Sequence, residues 1–401
     1  MRAIRIQIGR GVSRFLTSDR RQVFARSLRA TTRRIRGRPP TILYFHQFDD
    51  PYSALAATQL DRLRAQYAVQ LECHAVPSPD AAAAPQADAL RVWSARDASR
   101  LAEHFGLKVS EPSSSLATLS DTPASRELGR SIRERLGHYL GATFYFEGEW
   151  YWGIDRLHYL ESRLIAAGLR RDRSTLEVPP LRPPALRWAP IDLSPSSSRR
   201  PVLEFFCSLR SPYTYLAVDR VRRLADHYRA ALRIKFVLPM VMRGLPIPTA
   251  KRFYIVTDAK REATRLGLPF GDIADPVGIP AERGLAVLHR AIELGAGESF
   301  LESFLRGVFA EGIDAGTSRG LRRIASRAGL TSSNVAYALR DPSWRIVAEQ
   351  HRNELLSSGL WGVPSLRVAG LPAHWGQDRL WVVEHDLINA HRTLSSESRS
   401  A

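Results

Sequence analysis

At 401 residues the chain exceeds one typical domain, and a hydrophobic share of 44% is enough for a sizeable core, so two domains are expected. No run of about 18 apolar residues predicts a transmembrane helix. The two cysteines, Cys73 and Cys207, lie far apart and outside any C-x-x-C pair, which argues against a disulfide framework or a cysteine zinc centre. The formal charge of +18 is concentrated in residues 1–40, with twelve arginines against Asp19, and in residues 170–200, with seven arginines against three acids.

Residues 1–40 read as a basic N-terminal arm. Ile4, Ile6, Ile8, Phe15, Leu16, Val23, Phe24 and Leu28 would form an apolar stripe on a basic helix. Such a segment suits weak contact with an anionic membrane or nucleic acid, although a solvated or docked extension is the simpler expectation. The arm lacks the continuous apolar core and cleavage pattern of a secretory signal. The expected location is therefore cytoplasmic, with peripheral membrane contact as a variant.

After Pro39-Pro40, "TILYFHQF" (41–48) predicts a buried strand. A helix follows with Asp50 as N-cap and Pro51 at its first position. "VQLECHAV" (69–76) is a second strand, and a mostly helical stretch with a Ser-rich loop leads to a hairpin, "ATFYFEG" and "EWYW". A closing helix begins at "IDRL", and residues 41–169 form the first domain. Residues 170–200, rich in Pro, Arg and Ser, predict an extended linker held along a surface by Leu181, Leu186 and Trp188.

The plan then repeats over residues 201–391, before a tail at 392–401. "PVLEFFCS" (201–208) and "ALRIKFVL" (231–238) are strands around a helix capped by Ser211 and opened by Pro212. A long helical insertion (about 249–359), a hairpin and a closing helix complete the set. "YWGIDRLHYLE" (151–161) and "HWGQDRLWVVE" (374–384) share six of eleven residues, which marks a duplicated domain rather than a solenoid. The order β-α-β, helical insertion, β-β-α is that of an α/β thioredoxin-like sheet with an inserted helical subdomain.

"SPYTYLA" (211–217), "AKRFYIVTDAKREATRLGLPFG" (250–271), "GLWGVPS" (359–365) and "HWGQDRL" (374–380) resemble the DsbA-like thioredoxin superfamily. Within it they resemble the 2-hydroxychromene-2-carboxylate isomerases and kappa-class glutathione transferases. The resemblance covers about 201–390; the first half resembles the same fold more distantly and reads as a degenerate copy. It implies glutathione as cofactor and a glutathione-dependent isomerase or transferase-like activity on a small aromatic or carboxylate substrate.

Ser211 occupies the place where disulfide oxidoreductases carry the first cysteine of C-P-x-C, so disulfide exchange by that motif is excluded. A serine N-cap at a helix start favours a thiolate placed beside it, and the resemblance likewise implies that Ser211 activates glutathione. In this fold Val363-Pro364 would form the cis-proline turn, whose backbone docks an extended peptide, and the resemblance implies that Gln377 and Asp378 lie near the γ-glutamyl ammonium. Tyr213, Arg210, Arg243 and Lys251 are candidate substrate contacts, the basic ones toward a carboxylate. Ser208 stands where the family often has aspartate, and "RGLPIP" (243–248) lacks the asparagine of the family's pocket stretch.

In the first half Asp50 replaces the serine and Thr143 the proline of the cis turn, which would remove the glutathione site. His46 could pair with Asp50, but a satisfied surface histidine is the simpler expectation. No metal site is expected. The competing reading is a pair of non-catalytic thioredoxin-like binding modules tethered by the basic arm. A disulfide oxidoreductase would require Cys73 and Cys207 to come together.

Overall fold

The computed structural model describes residues 2–109, 113–171, 180–190, 200–245 and 247–400. Two compact units emerge: an N-terminal unit of Asp19–Pro184 with Ile247–Tyr254, and a C-terminal unit of Met1–Ser18, Ala185–Pro246 and Ile255–Ala401. The arm folds as two helices, α1 (Arg2–Leu16) and α2 (Asp19–Ile35), the first counted with the C-terminal unit and the second with the N-terminal one.

In the N-terminal unit, β1 (Thr41–His46) leads to helices α3 (Pro51–Ala57) and α4 (Leu60–Gln66), then β2 (Gln70–Ala75). Helices α5 (Ala87–Phe105) and α6 (Pro123–Leu136) form the insertion, and β3 (Thr143–Phe146), β4 (Glu149–Trp152) and α7 (Leu157–Ala166) close the unit. The sheet order is β2-β1-β3-β4, with β1 parallel to β2 and antiparallel to β3.

The C-terminal unit repeats this with β5 (Val202–Cys207), α8 (Pro212–His227) and β6 (Ala231–Phe236). Its larger insertion comprises α9 (Thr249–Arg265), α10 (Ile279–Glu293), α11 (Gly297–Phe309), α12 (Ser318–Arg327), α13 (Ser332–Ala338) and α14 (Trp344–Ser357). It ends with β7 (Ser365–Val368), β8 (His374–Trp375) and α15 (Leu380–Ser400), in the order β6-β5-β7-β8. The duplication holds at the level of register: Thr41 pairs with Gln70 and Val202 with Ala231, both displaced by 161 residues. These are two thioredoxin-like domains with helical insertions.

Apolar residues bury the two central strands, β1 and β5, almost continuously. Ile42, Tyr44, Phe144 and Phe146 are fully buried in the N-terminal core, as are Leu203, Phe236 and Leu366 in the C-terminal one. Each first long helix begins where the sequence predicts. The Asp50 carboxylate accepts the N–H groups of Tyr52 and Ser53, and the Ser211 hydroxyl accepts that of Thr214.

Register corrects one expectation. Phe45 faces Thr143 in the N-terminal sheet, and Phe206, its counterpart at the same displacement, faces Ser365. Thr143 therefore corresponds to Ser365, and it is Ala142, at φ +54°, that takes the place of Pro364. The short similarity around the hairpin was one residue out of step.

Within the described linker residues 180–190, the three apolar side chains pack as expected, while residues 172–179 and 191–199 lie outside the described residues. Leu181 packs on the N-terminal core, and Leu186 and Trp188 pack on the C-terminal core. The repeated eleven-residue strings each end in a fully buried glutamate, Glu161 and Glu384. Glu384 accepts the backbone N–H groups of Arg187 (2.7 Å) and Trp188 (2.6 Å) and the hydroxyl of Tyr228 (2.8 Å). In the N-terminal unit Arg62 lies 2.5 Å from Glu161, and the Leu181 N–H also approaches that carboxylate. In the C-terminal unit the repeated string thus carries the device that fastens the linker to the domain.

Both arm helices dock through polar side chains. Arg10 grips Asp272 with two bonds of 2.7 and 2.8 Å, and the Ser13 hydroxyl accepts the Ile273 N–H. In the other unit Arg26 pairs with Glu149 (2.5 Å) and Arg33 with Glu147 (2.7 Å). Ile8, Val12 and Phe15 of α1, and Val23, Phe24 and Leu28 of α2, remain exposed. No helix among the described residues is long and apolar enough to cross a membrane.

Candidate functional site

The C-terminal site is built where β5 ends and α8 begins. The Ser211 N–H donates to the Ser208 carbonyl (3.1 Å), forming the turn that presents the serine at the helix start. Pro212 follows at the first helical position, where its missing N–H costs nothing. The Ser211 hydroxyl is half-buried, accepts the Thr214 N–H at 3.2 Å and donates to the Val363 carbonyl at 3.4 Å. That second bond is long for O–H···O, so the hydroxyl proton is weakly committed.

The Val363–Pro364 peptide is cis. The Pro364 carbonyl accepts the Gly376 N–H at 2.9 Å, tying the turn to the start of the closing segment. The Val363 N–H has no protein acceptor among the described residues. Ser211, Val363 and Pro364 are thus brought together.

Beside them lies a buried polar network that the sequence reading missed. Arg220 of α8 donates to the Gln377 amide oxygen, and the Gln377 amide nitrogen donates to Glu262 of α9 at 2.9 Å and to Asp378. Arg265 closes the chain on Glu262 at 2.6 Å. Gln377 and Glu262 are each 1% exposed, whereas Asp378 is half-buried. Burial pulls the Arg220 pKa down to about 10, against the opposing field of Asp378. Gln377 is enclosed in the network, which positions Asp378.

The other candidates are scattered. The Tyr213 hydroxyl donates to Asp258, a 2% exposed carboxylate, at 2.8 Å. Arg210 is held by both oxygens of Asp275 at 2.6 and 2.7 Å, so its fork is already occupied. Arg243 ends a short 3-10 helix, Met240–Arg243, and burial lowers its pKa. Lys251 counts with the N-terminal unit, where it donates to the Ala83 carbonyl at 2.7 Å. The hydroxyl of Ser208 is buried with no partner among the described residues.

The Tyr213–Asp258 bond has a twin that the sequence could have yielded. Tyr52 donates to Asp97 at 2.7 Å, and both pairs are 45 residues apart. Sliding one half over the other by the Asp50-to-Ser211 displacement brings both pairs into line.

In the N-terminal unit the corresponding position carries Asp50, whose pKa is raised by burial against its three bonds from Tyr52 and Ser53. His46 is buried rather than at the surface: it meets the Tyr44 hydroxyl at 3.3 Å, not Asp50, and burial lowers its pKa to about 4. Both cysteines are free thiols; burial raises the pKa of Cys73 to about 11 and raises that of Cys207 as well, so neither is an activated nucleophile. No cluster of metal-ligating side chains occurs among the described residues.

Residues 202–387 match the family model of the DSBA-like thioredoxin domain. The C-terminal half therefore carries a domain of that family. Among solved structures, a 2-hydroxychromene-2-carboxylate isomerase is similar at 19% identity and a TM-score of 0.41, covering 49% of this chain and 98% of its own. The cytosolic disulfide reductase DsbM of Pseudomonas aeruginosa is similar at 18% identity and a TM-score of 0.39, covering 50% of this chain and 100% of its own. A probable DsbA oxidoreductase from Streptomyces coelicolor is similar at 20% identity and a TM-score of 0.39, covering 48% and 90%. No curated protein matches the chain in sequence.

Proposed function

We propose that the C-terminal domain is a glutathione-dependent isomerase or transferase of the 2-hydroxychromene-2-carboxylate isomerase type, acting in the cytoplasm on a small aromatic or carboxylate substrate. The observation that carries this reading is the Ser211 hydroxyl, 3.4 Å from the carbonyl of the cis-proline turn at the start of α8. It sets a weakly committed donor and a helix N-terminus beside a backbone edge with a free N–H. Glutathione would pair its extended backbone with Val363, beside Pro364, and place its ammonium near Asp378. Ser211 would turn its proton from the Val363 carbonyl to the sulfur and stabilise the thiolate.

In the isomerase form, the thiolate adds to the β-carbon of a conjugated enone and the π electrons move to the carbonyl oxygen as an enolate. The former double bond rotates, and the enolate collapses to expel the thiolate. No net oxidation occurs, and the sulfur returns to its initial state. Calorimetric titration of glutathione into the wild type and Ser211→Ala is the test. Binding by both proteins, with turnover of an enone substrate only by the wild type, is expected; absence of binding by either removes the reading.

A second reading is supported by the apolar side chains that α1 and α2 leave exposed among arginines, including Phe15 at 60% and Phe24 at 69%. It treats both domains as non-catalytic binding modules that the arm tethers to a surface or partner. Deleting residues 1–40 separates the two, since catalysis would survive the deletion and tethering would not.

A further inference from the structure

Helix α6 ends in a turn that carries Arg133 and His138 of the N-terminal unit close to each other, with Lys251 over the ring of the next residue, Tyr139. Gly137, at φ +91°, adopts the left-handed conformation that favours glycine, and the chain folds back so that the His138 N–H donates to the Arg133 carbonyl at 3.1 Å. Gly129, one turn before Arg133, lets the helix lie against the end of β2: a Cβ there would sit 1.9 Å from the Ala75 carbonyl oxygen. Arg133 is thereby pressed into the unit, with only 2% of its surface exposed.

Its guanidinium is not matched by the protein. The Nε and Nη1 groups are buried with no hydrogen-bond partner among the described residues. Asp80 acts on Arg133 through its field without bonding to it, and its carboxylate accepts the Ala83 N–H at 2.7 Å. Burial lowers the Arg133 pKa to about 10, which still leaves it charged at neutral pH.

His138 is 1% exposed and adds another unmatched donor. Its Nδ1 accepts the Leu140 N–H at 3.2 Å, so the neutral ring carries its proton on Nε2, which has no partner. Burial and the nearby Arg133 charge push its pKa down to about 3, so it stays neutral. Lys251 donates to the Ala83 carbonyl and retains two further N–H groups. The same Asp80 that acts on Arg133 also acts on Lys251. Tyr139 lies under the Lys251 ammonium, and Tyr139, Trp150 and Tyr254 surround the His138 ring.

A buried cation whose N–H groups lack acceptors is among the costlier groups a fold can contain, and the unmatched His138 donor adds to that cost. We propose that Arg133, His138 and Lys251 form a binding site for a small oxyanion, a carboxylate or a phosphate, that brings an oxygen to an unmatched N–H of Arg133. An oxyanion supplies both a negative charge for Arg133 and acceptors for its unmatched N–H groups, while His138 and Lys251 supply further donors. The site is independent of the glutathione reading, since all three residues count with the other unit.

Thermal unfolding of the full chain, followed with inorganic phosphate in one series and benzoate in another, tests this at constant ionic strength set with chloride. The wild type should show a saturable rise in melting temperature with one of the two, which also identifies the oxyanion. At a concentration 100-fold above Kd, the unfolding equilibrium constant should fall about 100-fold. Arg133→Met should be at least as stable as the wild type without oxyanion, as an apolar replacement of an unmatched cation, and show no such rise. Lys251→Gln should fold and bind on the order of tenfold to hundredfold more weakly, and it decides the matter if Arg133→Met does not fold. The proposal is overturned if neither oxyanion stabilises the wild type beyond the chloride control. Undiminished stabilisation in the folded variants overturns it too.

Discussion

Removing the Glu384 carboxylate should release the linker from the C-terminal domain at a large, measurable cost. Three donors converge on this fully buried group at 2.6 to 2.8 Å, two of them linker backbone N–H groups and the third the Tyr228 hydroxyl. A hydrogen bond to a charged acceptor contributes about 1.5–3 kcal/mol. The three do not simply add, because a detached linker can satisfy Arg187 and Trp188 with water while Tyr228, fully buried, cannot escape. Glu384→Ala should therefore destabilise the domain by about 3–5 kcal/mol, the range for removing one partner from a buried charged arrangement. Glu384→Gln keeps the shape but turns an N–H toward a donor, and about 2 kcal/mol is expected. Urea denaturation measures both, and tryptic cleavage after Arg182 or Arg187 reports linker release. If both variants lie within about 0.5 kcal/mol of the wild type, the scatter of ordinary surface changes, and the linker stays protected, the fastening role of the repeated string is wrong.

Gly129→Ala should cost about 3 kcal/mol or more by the same denaturation assay, because the new Cβ meets the Ala75 backbone at 1.9 Å and backbone cannot step aside as a side chain does. Tyr213→Phe and Tyr52→Phe each remove one bond to a carboxylate that is 2% exposed, so similar losses of about 1–3 kcal/mol are expected; a loss confined to one half would contradict the equivalence of the pairs. Docking of α1 should depend on acid. Arg10 and Arg14 hold the Asp272 pKa down at about 2, below its unfolded value near 4, so the stabilisation is present above about pH 4 and lost as pH falls toward 2. Asp272→Asn should remove that segment of the acid-unfolding profile and leave the rest.

Much of the fold was legible because the chain states it twice. The Trp-Gly-x-Asp-Arg-Leu string, the two helix openings at Asp50 and Ser211, and matching strand pairs already define two copies of one sheet. The N-cap at Ser211 followed from the same pattern, and the cis turn at Pro364 from the resemblance to the DsbA-like family. The polar interior was harder to read. Glu161 and Glu384 stood in plain sight at the end of the repeated string, but a glutamate on a helix is ordinarily solvated, and only tertiary packing reveals that both are buried and that Glu384 fastens a distant linker.

The placement of Lys251 shows another limit. Helix α9 contributes its opening residues to one unit and its remainder to the other, and helical periodicity carries no sign of such a division. The Ala142 correction has a similar origin, since a one-residue shift in a short hairpin is invisible to composition and fixed only by strand register. Arg210 was singled out by its neighbourhood to Ser211 and Gln377 by the family resemblance, yet Asp275 and the Arg220–Glu262 network occupy them.

The thiol ultraviolet absorbance of bound glutathione, followed against pH in the wild type and Ser211→Ala, tests the central claim most directly. The account predicts a thiol pKa at least one unit below that of free cysteine, near 8.5, in the wild type and a return toward that value in Ser211→Ala. Glutathione that binds with an unshifted pKa, or a shift that persists without the Ser211 hydroxyl, would contradict it.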